Sequence, residues 1–247
     1  MVTGAGGGIG AAVVRGLAGR GYAVRALGRS RSRLDLLCRG VPGAVPVVLD
    51  LAEPVHELPE GLAGETGVDV LVHCAGVAEV ASVGDADAEL WRRTLAVNVA
   101  GPAELTRLML PALRAARGRV VFLNMAPGLR AVPRWSAYVG SKAALRELAD
   151  SLREEETPHG VAVTTIYPGA TATPLLQQVR RDFRRPCDER SCLSPQAVAD
   201  AVAGILDTPP GVCLSEISII PVPGREVAGD NPASGSAPSA GQVPKRS

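Results

Sequence analysis

Thr3-Gly4-Ala5-Gly6-Gly7-Gly8-Ile9-Gly10 is the stretch that decides the fold. Met1-Val2-Thr3 reads as the end of a strand, and residues 11–19 continue as an apolar helical run. A strand that passes through glycines straight into a helix opens a βαβ unit, because parallel strands need a crossover. The strand is short, since one of about five residues would begin earlier. Either the chain start is clipped or the strand is stunted. Taken alone, the glycine-rich turn has two readings, a cradle for phosphate or a plain flexible loop.

Outward from that turn, strands and helices alternate. Residues 22–27, 44–49, 68–73, 119–124, 161–167 and 214–220 read as strands. Helices are expected over 30–38, 135–155 and from Ser194-Pro195 to residue 206, with Ser194 as cap and Pro195 in the first turn. A short helix is expected within 53–63. Residues 85–115 read as one long helix, or two joined near Gly101-Pro102, and 173–183 as a helical flap. The strands are near-continuous apolar runs, which suits burial on both faces. The expected fold is therefore α/β, a Rossmann-type doubly wound parallel sheet of about seven strands in a single domain, residues 1–223. Residues 224–247, rich in Pro, Gly, Ser and Ala without period, read as a disordered tail.

Composition excludes several roles. The 247 residues are 46% apolar, enough for a full core, and a net charge of +1 gives no reason to expect nucleic acid or an anionic membrane as partner. At 3% aromatic residues, base-stacking platforms are not expected either. No apolar run approaches the roughly 20 residues of a membrane helix. The start at Met1-Val2-Thr3-Gly4 leaves no room for a signal peptide, so a cytoplasmic location is expected. The five cysteines are odd in number and scattered, which suits reduced thiols. Cys187 and Cys192 have the wrong spacing for a zinc site and no nearby His, so no metal is expected.

Candidate functional residues gather at the ends of the predicted strands, where such sheets bind ligands. The glycine turn would let backbone approach a pyrophosphate at a helix N-terminus. After the second strand comes Gly28-Arg29-Ser30, where folds that prefer NAD carry an acid for the ribose hydroxyls. An arginine fork there suits a 2′-phosphate, although Arg25, Arg31 and Arg33 crowd the same region. Asp50 could accept from an adenine amino group or cap a helix. Ala75-Gly76 leaves space beside a cofactor. In Ser136-Ala137-Tyr138-Val139-Gly140-Ser141-Lys142, a phenol and an ammonium lie one helical turn apart on one face. Of 26 basic residues only Lys142 and Lys245 are lysines, so Lys142 is the single lysine of the predicted domain. An ammonium beside a phenol lowers the phenol's pKa and prepares it for acid–base work.

In these residues the chain resembles the short-chain dehydrogenase/reductase family, over about residues 1–222. Gly4, Gly8, Ile9 and Gly10 match its glycine motif, and Asp50-Leu51 its adenine contact. Asn98 in Val97-Asn98-Val99-Ala100-Gly101 matches its structural and catalytic Asn. Tyr138 and Lys142 match its catalytic pair, and Pro168-Gly169 with Thr173 its nicotinamide-side motif. The resemblance implies an oxidoreductase using NADP(H) in preference to NAD(H) on a small or medium-sized carbonyl compound. Tyr138 would protonate the carbonyl oxygen. Lys142 would lower the Tyr138 pKa and hold the nicotinamide ribose. Asn98, at a distortion in the long helix, would hold a water leading to Lys142. Thr173 and the backbone near Ala170 would hold the carboxamide. The helices over 85–115 and 135–155 would pair subunits into a homodimer or homotetramer.

The match breaks at Met125. The family has a serine thirteen residues before the tyrosine, and that hydroxyl orients the substrate oxygen. Here Met125 stands there, and no Ser or Thr lies between Thr106 and Ser136. Asn124 is adjacent but points to the other face unless a bulge turns it. Three readings stay open. The protein reduces ketones without that clamp, it reduces imines or iminium ions, or it binds cofactor without turnover. His73-Cys74 replaces the family's Asn-Asn, and both side chains read as structural. Glu154-Glu155-Glu156 reads as a solvated helix end, and His56 and His159 as surface residues. The Arg180-Arg181-Asp182-Phe183-Arg184-Arg185 run is a solvated face or a handle for an anionic substrate.

Overall fold

The computed structural model describes residues 1–186 and 188–222. Cys187 and the expected tail lie outside the described residues. Six strands run parallel: β1 (Val24–Gly28), β2 (Ala44–Val48), β3 (Val70–His73), β4 (Arg119–Leu123), β5 (Ala162–Pro168) and β6 (Glu216–Ile219). The expected seventh strand, at the chain start, shrinks to a bridge. Val2 pairs with Ala26 on one side and Val72 on the other, joining β2-β1 to β3-β4-β5-β6. The sheet therefore reverses its winding at Val2.

The helices are α1 (Gly8–Gly19), α2 (Arg31–Arg39), α3 (Ala88–Leu95), α4 (Gly101–Ala116), α5 (Ser136–Glu156), α6 (Pro174–Asp182) and α7 (Pro195–Leu206). Side chains alternate across the sheet, as strand geometry requires. Val70, Val72, Val121 and Leu123 pack with α1, α2 and α7, while Leu71, Val120 and Phe122 pack with α4 and α5. That alternation within continuous apolar runs is why both faces are covered. Start signals hold where capping chemistry is present. Ser30 accepts from Arg33 N, Asp87 from Leu90 N, Thr173 from Leu176 N and Ser194 from Ala197 N.

Three expectations are corrected. The helix within 53–63 does not form. Pro54 and Pro59 lack N–H donors, and the segment makes one turn in which Leu62 N donates to Pro59 O at 2.7 Å. The long helix over 85–115 is neither one α-helix nor two separate ones. α3 and α4 run on through a π-helical turn at Ala96–Ala100. Glu156 is not solvated. It is 1% exposed, and Arg114 of α4 donates to both its oxygens at 2.8 and 2.6 Å, tying α4 to α5.

Candidate active site

The groove opens where the winding reverses, at the carboxyl ends of β1 and β3. Its volume is about 320 Å³, and its walls include Gly4, Gly8, Ile9, Gly10, Arg29, Ser30, Asp50, Leu51, Ala75, Gly76 and Thr173. Most of the predicted cofactor-binding residues thus gather from five separate segments. Backbone demands explain the glycines. Gly4 has φ 66°, and a Cβ there would lie 2.8 Å from the Ala75 backbone; one on Gly10 would lie 2.4 Å from Gly4 O. Thr3 Oγ1 fixes the facing wall by accepting from Cys74 N and Ala75 N at 3.1 and 3.2 Å. Helix α1 has Gly7 at its N-cap, with no side-chain cap and no acidic residue in its first turn. Its N–H groups and positive dipole end face the groove, which suits an anionic ligand group.

Arginine partners separate one part of the rim from another. Arg25 is bonded to Glu65 at 2.8 Å and Arg31 to Asp35 at 2.9 Å. Arg29 and Arg33 line the groove and have no ion pair among the described residues. Arg33 was missed as a site residue by sequence reasoning. The available signal was the Ser30 cap, which starts α2 so that its first turn carries Arg33 beside Gly6. Asp50 is exposed and its Oδ1 accepts from Ala52 N at 3.0 Å, closing a turn rather than capping a helix.

Tyr138 and Lys142 share α5 but not the same surroundings. Tyr138 is half-buried under Trp135, whose ring stacks on it at 4.4 Å and 26°. Lys142 is 5% exposed and donates to Leu123 O at 2.7 Å. Burial pulls its ammonium down to about 8, the nearby Cys74 thiol opposing that shift. Burial pushes Tyr138 up to about 12, opposite in direction to the lowering that its spacing from Lys142 suggests. Gly76 joins this region to the groove, since a Cβ there would lie 3.4 Å from Asn98 Oδ1 and 4.0 Å from Lys142 Nζ.

Asn98 sits in the π turn and is 1% exposed. Its Oδ1 accepts from Val77 N at 2.9 Å, and its Nδ2 donates to Val77 O and Ser141 Oγ, both at 2.9 Å. The side chain thereby fastens the β3 loop to α5. His73 shares a 2.8 Å hydrogen bond with Thr106 Oγ1 and stacks on Phe122. Burial, then Lys142 and the chain amine, pull its imidazole down to about 3, and burial pushes Cys74 up to about 12. Both therefore stay neutral.

At the end of β4, Asn124 is no substitute donor. Its Nδ2 donates to Lys142 O at 3.0 Å and its Oδ1 accepts from Met125 N at 2.8 Å. Met125 is half-buried and follows it. Pro168 and Gly169 lie beyond the groove lining. Gly169 N donates to Ile219 O at 2.7 Å and Ala170 O accepts from Leu193 N at 2.8 Å. Thr173 Oγ1 caps α6 through Leu176 N and its methyl faces Gly8.

A doubly wound parallel sheet with its cleft at the winding reversal defines the nucleotide-binding class of α/β proteins. Within that class, the sequence profile of short chain dehydrogenases matches residues 1–184, and the chain belongs to this family of oxidoreductases. An uncharacterized oxidoreductase of Staphylococcus saprophyticus is 29% identical over 231 residues, covering 90% of this chain and 96% of its own. An uncharacterized short-chain type dehydrogenase/reductase of Sinorhizobium fredii is 32% identical over 234 residues, covering 93% of each. The X-ray structure of an alcohol dehydrogenase from Thermococcus sibiricus, complexed with 5-hydroxy-NADP, superposes with a TM-score of 0.77. It is 26% identical and covers 91% of this chain and 96% of its own.

Proposed function

We propose that this protein is an NADPH-dependent reductase of a small or medium-sized carbonyl compound, with Tyr138 as its general acid. The observation that carries the reading is the junction at Gly76. There the groove with its uncapped helix and with Arg29 and Arg33, which have no ion pair among the described residues, meets Lys142, one turn along α5 from Tyr138. The groove residues fit a dinucleotide. The α1 N-terminus would take the pyrophosphate, Arg29 with Arg33 and Ser30 the 2′-phosphate, and Asp50 with Leu51 the adenine side. Ala75, Gly76, Lys142, Pro168, Gly169 and Thr173 would hold the nicotinamide half. The absence of an acid at the end of β1 favours NADP(H) over NAD(H). The Thermococcus protein's 5-hydroxy-NADP is consistent with this. Bound there, the nucleotide supplies hydride to the substrate carbon.

The chain's own residues do the rest. Tyr138, protonated at neutral pH, gives its proton to the substrate oxygen. Lys142 offers positive charge beneath the site, and Asn98 keeps α5 and the β3 loop in register. Met125 supplies no donor to the substrate oxygen, which leaves the imine or iminium reading as the alternative, since that carbon is already electrophilic. A cofactor-binding protein without turnover is the third reading. The protein acts from the cytoplasm as a homodimer or homotetramer through α3–α4 and α5, and residues 1–223 form the single domain.

NADPH fluorescence titration, followed by turnover on ketone and cyclic imine panels, tests the proposal. Ketone turnover lost in Tyr138→Phe with NADPH binding retained supports it. Binding without turnover on either panel would falsify both enzymatic readings, and absence of NADPH binding would overturn the cofactor assignment.

A further inference from the structure

We propose that Arg134 and Arg185 form an oxyanion site at the substrate mouth, so the compound reduced carries a carboxylate or phosphate remote from its carbonyl. This rests on the reductase reading above. Trp135, stacked on Tyr138, is held by a hydrogen bond from its Nε1 to Ala78 O at 3.2 Å. Phe183, at the end of α6, meets Trp135 edge-on at 5.6 Å and 87°. The guanidinium carbons of Arg134 and Arg185 lie 5.8 and 5.7 Å from the centre of the Phe183 ring. One arginine comes from the β4–α5 connection and the other follows α6, so two distant segments bring positive charge to one ring beside the Tyr138 stack.

Neither arginine has an ion pair among the described residues, and both are exposed. The acids closest in sequence to Arg185 accept hydrogen bonds from other donors. Asp182 accepts from Gln178 at 2.8 Å, Glu189 from Gln177 at 2.6 Å, and Asp188 from Arg190 N at 3.1 Å. A guanidinium resting near an aromatic ring still has planar N–H edges to offer an oxyanion. The chain also accepts left-handed backbone at Arg134, φ 64°, while Arg134 O accepts from Ala81 N at 2.9 Å. A remote anchor answers the loss at Met125. Binding energy from the far end of a substrate orients its reacting end, which a missing hydroxyl would otherwise do. The arginine run at 180–185 thus acts as a handle through Arg185, with Arg134 as the partner that only folding supplies.

The test compares matched pairs with NADPH on the full chain: 4-oxopentanoate against its methyl ester, and dihydroxyacetone phosphate against dihydroxyacetone. The charged member of one pair should have a kcat/KM higher by about tenfold or more, as charge-assisted hydrogen bonds allow. That pair names the anion. In Arg134→Gln and Arg185→Gln the ratio should fall towards one, mainly through KM, while Arg15→Gln, an exposed arginine on α1, keeps it. A ratio near one in both pairs, or one that survives both substitutions, overturns the site and leaves the reductase reading intact. If no ketone is turned over, that reading fails instead. The site is then judged by quenching of Trp135 fluorescence in a Trp91→Phe background. Saturable quenching by 4-oxopentanoate or dihydroxyacetone phosphate, weaker with the uncharged partner and lost in Arg185→Gln, supports it; equal quenching overturns it.

Discussion

Met125 stands where the resemblance places a serine hydroxyl, and the tertiary structure closes the route through its neighbour Asn124. Asn124 spends its amide on Lys142 O and Met125 N. If the scaffold is a ketone reductase lacking a donor, Met125→Ser should raise kcat on ketones by on the order of 10–100-fold, since one oxyanion donor is worth about 10²–10³. Steady-state assays on the ketone panel check this, and no gain with imine turnover retained would favour the imine reading. Arg29 and Arg33 belong to the same scale. Arg29→Ala should weaken NADPH by about tenfold or more, the worth of a charge-assisted hydrogen bond, and leave NADH nearly unchanged. Parallel fluorescence titrations with the two nucleotides decide it. Lys142, drawn down to about 8, carries charge below that pH and loses it above. Reduction should therefore decline as pH rises through about 8, while Tyr138, near 12, stays protonated. The pH profile of kcat/KM reads this directly. Tyr138 and Lys142 were legible as a pair from their spacing. Their pKa shifts were not, because the burial that drives both comes from other elements.

At the scale of elements, the π turn at Ala96–Ala100 and the Arg114–Glu156 pair bind the long helices to the sheet. Sequence pattern located those helices within a few residues, since their apolar periodicity is local. It read Glu156 as solvated because three consecutive glutamates at a helix end usually are. Arg114 is 42 residues away and reaches it only after α4 and α5 align. The Arg114 hydrogen bonds hold the Glu156 carboxyl below its ordinary range. A depressed carboxylate stabilises the fold above its unfolded pKa, and that contribution is lost as pH falls below about 4.5 through the folded value. Glu156→Gln should destabilise the fold at pH 7, by less than breaking a fully buried pair would, because the Arg114 side chain is 42% exposed. Urea unfolding at pH 7 and pH 3.5 should show the difference shrinking at the lower pH. The helix expected within 53–63 failed for a local reason, prolines at 54 and 59 that lack N–H donors.

At the scale of the molecule, the sheet buries a neutral histidine between its strands and α4. His73 titrates near 3 in the fold against about 6.5 unfolded. The unfolded chain therefore binds more protons between those values, and stability should fall as pH drops below 6.5, by at most about 1.4 kcal/mol per pH unit. Thermal melts at pH 7 and pH 5 would show this, and His73→Gln should flatten the difference. That window lies above the one governed by Glu156, so the two contributions separate.

The sequence by itself determined the parallel α/β sheet, the glycine turn, the order of its elements and the Tyr138–Lys142 pair. Each is written in periodicity or spacing within one or two elements. Only the tertiary structure decided that the first strand is a bridge at Val2, that Arg25 and Arg31 have ion pairs while Arg29 and Arg33 have none among the described residues, and that Asn124 is occupied. It alone stacked Trp135 on Tyr138 and set Phe183 edge-on to Trp135. Those facts depend on which side chain reaches which partner across dozens of residues. Hydrogen bonding and desolvation fix that choice only once the layers have packed.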